Sequence, residues 1–186
     1  MLDDIYKDIE KKTPREIADI VGEVKKNNYL AHSIRELEMA IYRRLSKNYR
    51  IFAHYKKTGS KISSANFFDN GCQINLPNES DTMEDRDVRL VLAHELGHIV
   101  LNISNLKNPE LIDKKASDEE EVSAWEFSYY LIKKKSDEYK KDSNNTTKRF
   151  VFSDTELRAA ILSTVNERAN IEVYNAVNTV LNPLPK

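Results

Sequence analysis

Cysteine is nearly absent: Cys72 is the only one in 186 residues, so no disulfide can form within the chain. It reads as a reduced thiol and a small strand residue. Long apolar runs are missing too. No stretch of 18 apolar residues occurs, which excludes a membrane-spanning helix. The first residues, Met1-Leu2-Asp3-Asp4, are acidic and carry no apolar run, so no secretory signal is expected. With a reduced thiol this predicts a cytoplasmic location. An excess of one charge is also lacking. Against 29 basic residues stand 30 acidic ones, a net charge of −1. Such balance gives no support for direct nucleic-acid binding. The one basic run, Lys133-Lys134-Lys135, sits beside acids and reads as a solvated helix end. A chain of this length buries roughly 70% of its unfolded surface and needs no staple.

What is present is helix punctuation. Thr13-Pro14-Arg15-Glu16 is a capping box with Pro at the first helical position. Ile17, Ile20, Val21 and Val24 follow at helical spacing. Ser33-Ile34-Arg35-Glu36 is a second box, followed by Leu37, Ile41 and Leu45. Helices are therefore predicted near 13–27 and 33–48. The period then changes. Arg50 to Tyr55 is rich in aromatic and β-branched residues, Thr58-Gly59-Ser60 is turn-like, and Ser63 to Phe68 can be a strand. Asn70-Gly71 is a two-residue hairpin signal. Gln73 to Leu76 is the returning strand, stopped by Pro77. Helix is predicted again over 84–103. Ser117-Asp118-Glu119-Glu120 opens another helix to about 134, Ser153-Asp154-Thr155-Glu156 one more, and a last one runs to about 181. No repeat is visible. The order α-α-β-β-β-α-α-α-α predicts an α+β fold, a small mostly antiparallel sheet packed on helices. Residues 1–134 form the expected core with its N-terminal helices. Residues 135–149 are expected to be a polar linker or mobile loop, and 150–186 a C-terminal helical segment.

The run His94-Glu95-Leu96-Gly97-His98 carries the chemistry. Side chains four apart on a helix lie about 40° apart and one turn up, so both imidazoles reach one tetrahedral ion at about 2.0–2.1 Å. Glu95 projects beside them, where it can accept a proton from water without being a ligand. The flanking Val88, Leu92, Ile99 and Ile103 can face a core. Zinc catalysis needs a third protein ligand and one open position. No histidine follows His98, so a carboxylate on a second helix is expected. Glu119, Glu120, Glu121 and Glu126 qualify by type. At a helix start, Glu119 and Glu120 read as compensation of the helix dipole. His32, before a cap, and His54, in an expected strand, read as structural or exposed.

Arg89 to His98, together with Glu121-Val122-Ser123-Ala124-Trp125-Glu126-Phe127-Ser128-Tyr129-Tyr130-Leu131-Ile132, resembles the ImmA/IrrE metallopeptidases. Their second motif is Glu-x-x-Ala-x-x-Phe-Ala-x-x-Leu-Leu. The resemblance spans roughly residues 30–135 and implies a zincin-like active-site helix. It implies Glu121 as third ligand, Ala124 and Phe127 as the motif's Ala and Phe, and Leu131 and Ile132 as its Leu pair. Ser128 stands where the family has Ala, Ile132 where it has Leu, and the lysine run where Pro commonly follows. These are packing or boundary positions. Helical spacing agrees with Glu121, which shares a face with positions 124, 125, 128 and 131–132. A carboxylate on such an inward face is costly unless it is paired or binds metal.

The expectation is a zinc-dependent endopeptidase of the HExxH plus Glu type. His94, His98 and Glu121 hold Zn2+, with Mn2+ as the alternative ion, and Glu95 is the base. The resemblance implies a protein substrate, a helix-turn-helix transcriptional repressor of a phage or mobile element. The alternatives are a toxin–antitoxin-associated peptidase and a non-catalytic, metal-bearing partner-binding protein. Glu95 speaks against the last, because a scaffold needs ligands but no base. An extended substrate is expected to pair with Gln73–Leu76 as an exposed strand.

Overall fold

Thr13 begins the described structure with a closed hydrogen-bond exchange. Its backbone N–H donates to the Glu16 carboxylate at 2.8 Å, and its hydroxyl accepts from the Glu16 N–H at 3.3 Å. That exchange satisfies two N-terminal donors and opens α1 (Pro14–Gly22). The computed structural model describes residues 12–22, 55–57, 63–68, 71–76, 85–102, 116–141 and 151–183. The remainder of the first expected helix, the helix expected over 33–48, and His32 and His54 lie outside them.

Three strands follow: β1 (Tyr55–Lys57), β2 (Ser64–Phe68) and β3 (Gly71–Leu76). Their order is β1-β3-β2. β2 and β3 are antiparallel from Ser64↔Asn75 to Phe68↔Gly71. β1 runs parallel to β3, with Tyr55 opposite Ile74. Most of the paired positions are antiparallel, as expected, and β1 adds a parallel edge that the sequence does not announce. Two expectations need correction. Gly71 is a paired residue of β3, facing Phe68, so Asn70-Gly71 is not the pair between the strands. β3 is the central strand. Ile74 and Asn75 are paired on both sides, by β1 and by β2, so the segment Gln73–Leu76 is not the open edge expected for an added strand. Cys72 lies in β3 opposite Phe67, a strand residue as expected.

Among the described residues four further helices follow: α2 (Asp85–Leu101), α3 (Asp118–Lys140), α4 (Asp154–Arg168) and α5 (Ile171–Leu181). The architecture is α+β, helical with one small sheet. Every residue of α2 from Arg89 to Val100 is buried. It lies among α1, α3, β2 and β3. Such all-round burial is the setting of an inner helix, not a surface one. α3 is the longest helix and touches α1, α2, α4 and α5. Ser153 caps α4 with a complete capping box. α5 buries Val173, Val177 and Leu181, one stripe at a spacing of four. No helix among the described residues is long and apolar enough to cross a membrane.

α3 does not stop near residue 134. It continues to Lys140, so residues 135–140 are helix, and those from 142 to 149 lie outside the described ones. The reason is packing. Leu131, Ile132, Lys135 and Ser136 are all buried, so one face keeps finding partners past the expected end. The lysine run is correspondingly not a solvated terminus. Lys133 pairs with Asp154 of α4 at 2.8 Å. Lys134 donates to the Asp19 carbonyl of α1 at 2.9 Å. Lys135 reaches Glu138 at 2.9 Å, with burial pushing its ammonium pKa down. Each lysine serves a different contact. The Ser136 hydroxyl accepts from the Phe152 N–H at 3.2 Å, tying this end to the segment before α4.

α2 crosses α3 closely at Gly97. A Cβ added at Gly97 would lie 2.9 Å from both Cα and O of Ala124 and 3.1 Å from its Cβ. Helix propensity favours Ala over Gly by about 1 kcal/mol. Here overlap with backbone atoms opposes it by roughly 1–3 kcal/mol. Gly97→Ala should therefore destabilise the protein by about 1 kcal/mol, and Gly97→Val by more. Denaturant unfolding measures this. An alanine variant as stable as the parent would show that the crossing has room to spare.

Candidate metal centre

Four ionisable side chains are buried on α2, Arg89 and the three of the His-Glu-His run. His94 is 7% exposed, Glu95 3% and His98 7%. Burying such groups costs several kcal/mol unless each is paired or bound. The helix period turns His94 and His98 the same way, and the Gly97–Ala124 crossing brings the first turns of α3 against them. Glu121 is one turn before Ala124, so its carboxylate arrives at the imidazoles. His94 Nε2 lies 3.1 Å from His98 Nε2. Glu121 Oε2 lies 3.4 Å from His94 Nε2, and Glu121 Oε1 lies 3.5 Å from His98 Nε2. His94, His98 and Glu121 each offer one donor atom within 4.8 Å of the others. Ligands of a tetrahedral ion with bonds of 2.0–2.1 Å are about 3.3 Å apart. The three observed separations bracket that value, so the donor set fits a metal ion.

The charges point the same way. Burial works against a charge on His98, but the hydrogen bonds it donates to the Glu120 and Glu121 carboxylates outweigh it and raise its pKa to about 10. Burial lowers the pKa of His94, which stays neutral. For Glu121 burial again opposes, and its bonds to His94 and His98 hold the carboxyl well below the usual range. Glu95 is close enough for its charge to bear on both imidazoles. The cluster therefore holds more negative charge than its surroundings offset, and it retains a proton on His98. A divalent cation meets the same need at the same place.

Each imidazole is oriented by a different neighbour. The His98 Nδ1–H donates to Glu120 Oε1 at 3.0 Å. Asn102 Nδ2 donates to that same oxygen and, at 3.0 Å, to the His98 carbonyl. His94 stacks on Trp125, with ring centroids 3.9 Å apart and planes 19° from parallel. Its Nδ1 is buried with no hydrogen-bond partner among the described residues. Stacked on an indole and without a partner at Nδ1, this imidazole offers Nε2 as its useful lone pair.

Of the carboxylates that qualified by type, Glu121 alone joins both histidines in the donor set. Glu119 is exposed, as expected. Glu126 is half-buried, and desolvation raises its carboxyl pKa. Glu120 is the correction. Its role is not confined to the helix dipole, because its carboxylate is on His98. Trp125 and Asn102 were not singled out as site residues. The signals existed: Asn102 follows His98 by four, on the face of the residue it supports, and Trp125 follows Glu121 by four, on the face of α3 that meets the imidazoles. Ser128, where the resembled motif has Ala, is buried and donates to the Leu90 carbonyl at 3.3 Å. It ties α3 to α2, a packing role as expected. No family model, no curated protein and no solved structure matches the chain.

His98 has its proton-holding partners only in the folded chain, so its folded pKa exceeds the unfolded value of about 6.5. Its contribution to stability is complete below that value and is lost as pH rises through about 10. Metal-free protein should lose stability as pH rises from about 7 to 10, and His98→Gln should remove that dependence. Adding a divalent transition metal near pH 7 should release about one proton per chain, read with a pH dye in weak buffer. A flat stability profile with no proton release would contradict the charge balance described above.

Proposed function

We propose that the chain is a zinc-dependent endopeptidase of the ImmA/IrrE kind, acting on a specific intracellular protein. The observation that carries this reading is the convergence of His94, His98 and Glu121 on one point, with Glu95 buried on the same turn of α2. Two imidazoles and a carboxylate suit zinc. Three protein ligands leave a tetrahedral ion one open position, the arrangement of catalytic rather than structural sites. Bound there, zinc would supply Lewis acidity and bring the pKa of water towards about 7.

The remaining chemistry belongs to the protein. Glu95 stands outside the donor set, so its carboxylate is free to accept a proton and return it to the leaving amine. Glu121 and the two imidazoles fix the place where a scissile carbonyl must sit. Burial of α2 keeps bulk water from the general base and strengthens its electrostatic effect. A non-catalytic metal scaffold would gain nothing from a buried carboxylate beside its ligands, while a hydrolase requires one. The substrate proposed is a helix-turn-helix repressor encoded beside this chain. This rests on the resemblance of the two motifs.

Glu95→Gln should keep one zinc per chain and lose cleavage of the neighbouring gene's product by about 10²–10⁴-fold. Metal analysis and gel-based cleavage of that product measure the two effects. Full turnover in this variant, or loss of its metal, would remove Glu95 from the role of base. A second test concerns the ligands. Glu121→Ala should weaken zinc strongly, while Glu119→Ala and Glu126→Ala should leave the affinity within about threefold of the parent. If Glu126→Ala were the variant that lost zinc, the register of α3 against α2 would be wrong.

A further inference from the structure

We propose that Glu120 is a positioning residue for the metal centre, holding the His98 ring so that Nε2 faces the ion and Nδ1 keeps its proton. This rests on reading His94, His98 and Glu121 as metal ligands. The first argument is geometry. Glu120 Oε1 accepts from His98 Nδ1–H at 3.0 Å, on the side of the ring opposite the Nε2 that faces His94 and Glu121. Glu120 is thus placed to orient a ligand and not to be one. A carboxylate bound to the far nitrogen of a ligating imidazole fixes its tautomer and ring angle and raises its basicity.

The second argument is a broken local rule. Glu120 is the N3 residue of the Ser117 cap: its N–H donates to the Ser117 hydroxyl at 3.2 Å. In a capping box the N3 carboxylate returns to the cap's own backbone N–H. Glu16 does so towards Thr13 at 2.8 Å, and Glu156 towards Ser153 at 2.8 Å. The Glu120 carboxylate instead turns inward to His98 and Asn102. The helix forgoes half of its cap, worth on the order of 1 kcal/mol. The contact that replaces it is charge-assisted and partly buried, roughly twice as strong as a neutral one.

The third argument is the contrast between the two rings. The His94 Nδ1 has no partner and the ring leans on Trp125. Only His98 has a carboxylate at its Nδ1, and Asn102 fixes that carboxylate by bridging it to the His98 carbonyl. Removing Glu120 therefore frees one ligand only. Loss of such an outer partner typically weakens metal binding by about 10–100-fold.

The test titrates zinc, in competition with a chromophoric chelator, into metal-free full-length protein and its Glu120→Ala, Glu120→Gln, Glu119→Ala and Glu121→Ala variants. Cobalt(II) absorption at saturation reports the coordination of each. Glu120→Ala should bind zinc about 10–100-fold more weakly yet give the parent cobalt spectrum when saturated, because the ligands are unchanged. Glu120→Gln keeps an acceptor oxygen and should recover part of the loss. Glu119→Ala should match the parent. Parent-like affinity in Glu120→Ala overturns the proposal, and so does an altered cobalt spectrum, which would make Glu120 a ligand. Should the alanine variant fail to fold, Glu120→Gln decides alone: an affinity reduced about threefold or more supports the role, and an unchanged one overturns it. If Glu121→Ala leaves zinc binding intact, the metal reading itself fails. If Glu121→Ala loses zinc and Glu120→Ala does not, only the role of Glu120 fails.

Discussion

The close crossing of α2 over α3 at Gly97 and Ala124 sets where everything else in the centre can be. A Cβ placed at Gly97 would lie 2.9 Å from backbone atoms of Ala124, close enough to collide. The histidines lie three residues before and one residue after Gly97, and Glu121 lies one turn before Ala124. A bulkier residue at either point of contact would push the helices apart. Long side chains can follow such a shift only by leaving their preferred rotamers. The small residues inside the two motifs therefore set the spacing of His94, His98 and Glu121, although neither belongs to the donor set. Ser128, further along α3, adds a hydrogen bond to the Leu90 carbonyl in the same interface.

The electrostatics follow from that placement. α2 is buried from Arg89 to Val100, yet it carries two imidazoles and a carboxylate. A hydrophobic helix of equal volume would pack at least as well, because buried charges recover their desolvation cost only with excellent partners. The partners are drawn from the start of α3, where acidic residues are also favoured by the helix dipole. One acidic run, Asp118 to Glu121, thereby divides into different tasks according to angle around the helix. Glu119 faces solvent, Glu120 supports His98 from behind, and Glu121 faces both rings. Consecutive residues lie about 100° apart on a helix, so neighbours in sequence cannot share a role.

Much of this was legible in the sequence, for identifiable reasons. Helix starts were readable at Thr13, Ser117 and Ser153 because capping is local chemistry among four residues. The histidine pair was readable because its spacing equals one helical turn. The inward face of α3 was readable from the spacing of Ala124, Trp125, Ser128 and Leu131, all buried. What failed depended on contacts far apart in the chain. The end of α3 was misplaced because polar Lys135 and Ser136 are buried against partners that composition does not reveal. The parallel edge strand was not legible because β1 pairs with β3 across a long separation, and no turn signal announces a parallel neighbour. Gly71 was read as turn because Asn-Gly is a strong local signal, whereas pairing with Phe68 places it in the strand.

Glu120 shows why the outer part of a functional site is harder to read than its inner part. Its local context, Ser117-Asp118-Glu119-Glu120, satisfies the capping pattern as well as Thr13 to Glu16 or Ser153 to Glu156 does. All three patterns predict the same reciprocal bond, and two of the three form it. In the third, a buried imidazole competes for the carboxylate and wins, because leaving His98 Nδ1–H unpaired in the core would cost more than half a cap at an exposed helix end. Sequence patterns encode what a side chain does when nothing stronger is near. A site is where something stronger is near. Departure from a satisfied local rule, at a residue whose neighbours obey it, therefore carries functional information that the motif itself hides. Here that departure points to the residue adjoining the candidate ligand Glu121, in the turn of α3 that faces both imidazoles.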